Sequence, residues 1–145
     1  MEVFTIGFTQ KSAAQFFQTL KQAGIKRLID VRLNNVSQLA GFAKREDLAY
    51  FLRELCGVEY IHEPLLAPTQ ELLDAYKKKK GAWSDYEVRF LRLMADRKIE
   101  EQLPSNLFSG PAVLLCSEPT AEKCHRRLVL DYLQTKGVDI QPVHL

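Results

Sequence analysis

The sequence lacks the features that would announce its partners at once. Twenty Lys and Arg against eighteen Asp and Glu leave a net charge of only +2, too slight to argue from charge alone for nucleic acid or an anionic membrane. No apolar run approaches the ~20 residues that a membrane span needs, so no membrane partner is expected. Met1-Glu2-Val3-Phe4-Thr5 lacks the basic region, apolar core and small-residue cleavage site of a secretory leader, and a cytoplasmic location is expected. Three cysteines are too few, and odd in number, for a secreted disulfide framework. Repeats, linkers and low-complexity segments are missing as well. With 145 residues, the chain is expected to form one α/β domain, 1–145, burying roughly two-thirds of its unfolded surface in one core.

What is present is an alternation of strand and helix patterns. Val3-Phe4-Thr5-Ile6 reads as a first strand that stops at Gly7. Ser12 and Gln15 have the spacing of a capping box, and Phe16, Phe17, Leu20 and Ala23 form an apolar face before Gly24. Arg27 to Arg32 is a second, nearly continuous apolar strand, as expected of one covered on both faces. Residues 33–44 show no clean period and read as an irregular loop of the kind that covers a ligand site. Helical spacing returns over Glu46–Cys56, followed by a strand over Val58–His62 and an extended stretch at Pro64 and Pro68. Helices are predicted over Gln70–Lys79 and Asp85–Glu101, a strand over Ala112–Cys116, a helix from Ala121 to Lys136 and a last strand over Val138–Val143. The expected fold is α/β: a single, mostly parallel sheet of about five strands with helices on both faces.

Ligands of such sheets bind beyond the carboxyl ends of the strands. That rim should collect Asp30, Arg32, His62 and the Cys116-Ser117-Glu118 turn. On a helical wheel Ala121, Leu128, Val129 and Tyr132 define the inward stripe of the last long helix. Cys124 and His125 fall on or beside that stripe, Arg126 nearer its margin and Arg127 away from it. Cys124 also fits a small core residue, whereas a partly buried His125 must find a partner, with Glu118 or Asp30 the obvious carboxylates. Cys116 leads into amides at a helix start, an environment that favours a thiolate.

The candidate catalytic residues are therefore Cys116, His125, Glu118 and Asp30, with Arg32, Arg126, His62 and Cys124 as candidate ligand-binding residues. Cys116 is the candidate nucleophile and His125 its acid or base. A metal held by the two cysteines, His125 and Glu118 is a further reading, but the cysteines lack the two-residue spacing of zinc pairs, so no metal ligands are assigned. No cofactor is assigned either. Lys77 to Lys80, with Arg89 and Arg92, could serve a non-catalytic nucleic-acid-binding module, although such a run is ordinarily a solvated helix end. Trp83 reads as a packing anchor.

Thr5-Ile6-Gly7, Leu28-Ile29-Asp30-Val31-Arg32, Tyr60-Ile61-His62 and above all Leu114-Leu115-Cys116-Ser117-Glu118 with Cys124-His125-Arg126 resemble the family called domain of unknown function 488. Its hallmark is cysteine-x-glutamate followed by cysteine-histidine-arginine. The resemblance implies a small α/β domain with a site at these positions and brings no established reaction. Phe8-Thr9 stand where the family usually has histidine-serine, and Leu66-Ala67-Pro68 replaces a leucine-glycine-glycine turn. A weaker likeness is to rhodanese domains, which also carry Asp-Val-Arg at a strand end. Their loop needs an arginine about six residues beyond its cysteine, where this chain has Glu122. The leading expectation is an enzyme that binds a small anionic or nucleotide-like ligand at the strand ends.

Overall fold

The computed structural model describes residues 1–36 and 41–145; residues 37–40, part of the loop expected over 33–44, lie outside them. Five strands form one sheet: β1 (Glu2–Gly7), β2 (Arg27–Asp30), β3 (Glu59–His62), β4 (Ala112–Cys116) and β5 (Gln141–His144), in the order β3-β2-β4-β1-β5. Every pairing is parallel. The central strands read as unbroken apolar runs because both faces are covered; all five residues of β4 are buried.

Alternating side chains divide the core. Leu28, Val113 and Leu115 face a layer with Phe16, Phe17, Leu20, Leu48 and Leu52 from α1 (Ala13–Gln22) and α2 (Arg45–Phe51) with its continuation. Ile29, Ala112 and Leu114 face Leu72 of α3 (Gln70–Lys77), Phe90 and Met94 of α4 (Trp83–Arg97), Ile99 of α5 (Ile99–Gln102) and Leu128 and Val129 of α6 (His125–Thr135). The α1 capping box forms as its sequence predicts: Gln15 N donates to Ser12 Oγ, and Ser12 N donates to Gln15 Oε1.

Several boundaries differ from the sequence reading, each for a local reason. The helix expected over Glu46–Cys56 begins as α2 and finishes in a wider π-helical turn at Leu52–Cys56, closed by Gly57 at φ 65°. The helix expected over Asp85–Glu101 starts at Trp83 and breaks at Lys98, whose left-handed φ of 51° separates α4 from α5. Pro64 does not prolong an extended stretch; it opens a short 3₁₀ turn, Pro64–Leu66, with the Glu63 carboxylate accepting from Leu65 N. The last strand begins at Gln141 rather than Val138, with Pro142 accommodated on an edge.

The final helix differs most. It begins at His125, not near Ala121, and Cys124 is its extended N-cap residue at φ −141° and ψ 140°. The preceding turn is held to the sheet instead of winding into helix. Thr9 donates from both N and Oγ1 to the Ser117 carbonyl, and Arg126 Nη1 donates to the Glu118 carbonyl. Gly7, opposite Cys116 in the β1–β4 register, makes room for this turn. A Cβ added there would lie 1.6 Å from the Glu118 carbonyl oxygen.

Gly7→Ala is therefore expected to cost about 1–3 kcal/mol through overpacking, measured by chemical denaturation. Gly41→Ala meets nothing within 4 Å among the described residues and should stay within about 0.5 kcal/mol of the parent. Equal stability of the two variants would contradict this account of the turn.

Candidate functional site

The register explains why polar residues gather at one rim. Gly7 lies opposite Cys116, and Asp30 lies opposite both His62 and Leu115. Beyond β2 the chain stays beside β4, because Val31 N donates to the Leu115 carbonyl. The Val31 carbonyl is thereby brought within reach of α6. His125 Nε2 lies 2.7 Å from that oxygen; a carbonyl only accepts, so Nε2 carries the proton and donates. This backbone oxygen takes the place expected of the Asp30 or Glu118 carboxylate.

His125 Nδ1 is then left 3.5 Å from Cys116 Sγ, which lies 3.8 Å from Nε2 of the same ring. Cys124 completes the group, the three ligand atoms all lying within 4.8 Å of one another. Cys116, Cys124 and His125 are only 6, 2 and 7% exposed. The two thiols are not equivalent. The hydrogen bond from Cys116 to Cys124, reinforced by burial and by the Cys124 charge, pushes the Cys116 thiol well above the usual range. Burial alone would do the same to Cys124. The Cys116 hydrogen bond, the adjoining His125 ring and the Arg126 charge overcome burial there and hold Cys124 well below the usual range. Of the two sulfurs, Cys124 is the one whose surroundings favour the thiolate.

These residues floor a cavity of about 330 Å³, also lined by Arg32, Lys77, Glu118 and Lys123. One wall is aromatic: Tyr76, Trp83 and Tyr86 line it, with Trp83 stacked on Tyr86 at 5.2 Å between centroids. Trp83 therefore faces the cavity besides anchoring α4. Lys77 reaches the Glu118 carboxylate; burial opposes the lysine charge, and Glu118 outweighs it.

Asp30, His62 and Arg126 take other places. Asp30 is fully buried and accepts from Arg32 Nε and Nη2, both at 2.9 Å, from Arg32 N, and from Asn35 and the Tyr60 hydroxyl. Burial, then the bond and charge of Asp30, push the Tyr60 hydroxyl up and keep it a donor. His62 Nε2 meets the Arg32 carbonyl at 3.0 Å, bracing the turn after β2. Arg126, expected near the margin of the helical stripe, is fully buried and holds the Glu118 carbonyl. Cys116, Cys124, His125, Glu118 and Arg32 line the cavity; Asp30, His62 and Arg126 hold its framework. The lysine run carries acidic partners, Lys77 with Glu118 and Lys78 with Asp74, and Arg89 lies 3.9 Å from Glu71.

A family model described as Domain of unknown function DUF488 matches residues 12–133, most of the chain. The chain belongs to the DUF488 family. No curated protein and no solved structure matches it. The Cys116, Cys124 and His125 cluster includes both cysteines of the motif on which the family resemblance rests. The DUF488 region also takes in Tyr60, Tyr76, Trp83 and Tyr86, which the sequence reading did not place at the site. Their signal was the aromatic spacing Trp83, Tyr86, Phe90 along one side of a helix, and it looked like ordinary core.

Replacing Asp30 by Asn leaves the Arg32 charge buried without its counter-ion, and a loss of about 3–5 kcal/mol is expected in denaturant unfolding. Tyr60→Phe, which removes one donor, should cost about 1–2 kcal/mol. An Asp30→Asn variant as stable as the parent would show that this carboxylate does not anchor the rim.

Proposed function

We propose that this chain binds a small, ring-bearing anion of nucleotide-like size at the strand carboxyl ends and that the Cys116, Cys124 and His125 group acts on it. The observation that carries the reading is Arg32. Its guanidinium is 2% exposed and grips Asp30 through Nε and Nη2, while Nη1 has no hydrogen-bond partner among the described residues. A buried charged donor left in this state costs about 1–3 kcal/mol or more, and an anionic group in the cavity that Arg32 lines would satisfy it. Lys123 and Lys77 on the same lining add positive charge.

Size and shape support the same ligand class. A volume near 330 Å³ lies at the lower end of small-molecule sites, and the Tyr76, Trp83 and Tyr86 wall suits a planar ring. The chemistry falls to the cluster on the floor, where the surroundings of Cys124 favour its thiolate. Two thiols this close stay reduced only in a reducing compartment, which supports a cytoplasmic location. No helix among the described residues is long and apolar enough to cross a membrane.

Trp83 is the only tryptophan, so intrinsic fluorescence reports on this cavity directly. Adenosine monophosphate is expected to change the emission saturably, adenosine far less, and Arg32→Lys should raise Kd about tenfold, near the 1.4 kcal/mol that such a ratio represents. Equal affinity for the nucleotide and the uncharged nucleoside, or no effect of Arg32→Lys in a folded variant, would overturn the anion reading.

A further inference from the structure

We infer that Cys116 Sγ, Cys124 Sγ and His125 Nδ1 form a three-ligand site for a zinc-class divalent cation, with a fourth position open to the cavity. The sequence spacing argued against this reading, since eight positions separate the two cysteines. The fold removes that objection. One sulfur comes from the end of β4 and the other from the residue that caps α6, and the extended backbone of Cys124 keeps it out of the helix it introduces.

The geometry fits the cation. Tetrahedral zinc, with bonds of about 2.3 Å to sulfur and 2.0–2.1 Å to nitrogen, sets its ligand atoms about 3.5–3.8 Å apart. Cys116 Sγ and His125 Nδ1 are 3.5 Å apart, and no separation within the group exceeds 4.8 Å, so the widest must close by only about 1 Å. The imidazole is prepared as well. Ligating histidines almost always commit their second nitrogen to an oxygen acceptor, which fixes ring and tautomer; His125 Nε2 donates to Val31 O.

Charge balance decides the cation class. Two thiolates and a neutral imidazole compensate a dication in a buried site beside Arg126, and soft sulfur ligands favour zinc over magnesium or calcium. On binding, any proton still held by a thiol passes to solvent, so no electron changes hands. All three residues line the cavity that holds Arg32. Three protein ligands and one open position make the pattern of a catalytic rather than a structural zinc site. The ligand of the fourth position would be an anionic oxygen or sulfur that can also reach Arg32. This last step rests on the anion reading above; the cation site does not.

Cobalt(II) is the probe, added to reduced, full-length protein prepared without chelator. The expected result is one equivalent bound with thiolate-to-cobalt absorption in the near ultraviolet and the visible bands of a tetrahedral ion, displaced by zinc. Cys116→Ser and Cys124→Ser should each weaken binding by roughly 100-fold or more, beyond the 10–100-fold of losing an outer partner. Cys56→Ser changes the cysteine outside the group and should bind as the parent does. Circular dichroism establishes that each variant is folded, and His125→Ala supplies a further ligand deletion should either serine variant fail that check. Absence of thiolate-to-cobalt absorption in the reduced parent overturns the proposal, as does undiminished binding in a folded Cys124→Ser or His125→Ala. Rapid closure of a Cys116–Cys124 disulfide in air, with no cobalt uptake by the reduced protein, also overturns it and marks the pair as a redox couple. The Trp83 titration on metal-free protein reads anion binding separately, so either proposal can fail alone.

Discussion

One backbone oxygen organises the site. The Val31 carbonyl, positioned where β2 runs past its last paired residue alongside β4, receives the Nε2 proton of His125. That bond joins the sheet to the start of α6, fixes the imidazole, and leaves its other nitrogen 3.5 Å from the Cys116 sulfur. A carboxylate in the same place would hold the ring equally well but would add a negative charge beside a thiolate. A neutral acceptor orients the histidine without that repulsion.

The surrounding polar residues divide between framework and cavity. Asp30, itself held by Tyr60 and Asn35, grips one side of Arg32 through two guanidinium nitrogens, so the guanidinium cannot swing away. Its remaining nitrogen is then held in one place, which would lower the entropic cost of binding the proposed anion. Thr9 and Arg126 perform the matching task for the Ser117–Glu118 turn, gripping its two carbonyls from the sheet side and the helix side in the space that Gly7 leaves. Thr9 does this with both its backbone N–H and its hydroxyl.

Much of the fold was legible in the residues. The apolar run Ala112–Cys116, the Ser12–Gln15 capping box and the glycines after helices carry their structure locally, and the observed elements follow them closely. The rim itself was legible, since parallel strands end together. Side-chain partners were not. Nothing local says that Asp30 will be consumed by Arg32, Asn35 and Tyr60, because those contacts depend on β3 lying against β2 and on the turn beyond it. The helical wheel placed Cys124 inside a helix, when turn carbonyls held by Thr9 and Arg126 keep it just outside. That shift of one residue from helical to extended backbone brings the two sulfurs together, and spacing rules for short metal motifs do not register it.

The proton position on His125 is the most direct test of this arrangement. In metal-free protein labelled with ¹⁵N, long-range proton–nitrogen correlation spectra distinguish a protonated ring nitrogen from a bare one. The account predicts a proton on Nε2, shielded from exchange by its bond to Val31, and a bare Nδ1 that becomes a ligated nitrogen when zinc is added. A proton on Nδ1 with Nε2 bare would contradict it, because a carbonyl cannot donate to that nitrogen and the Val31 bond on which the site depends would not exist.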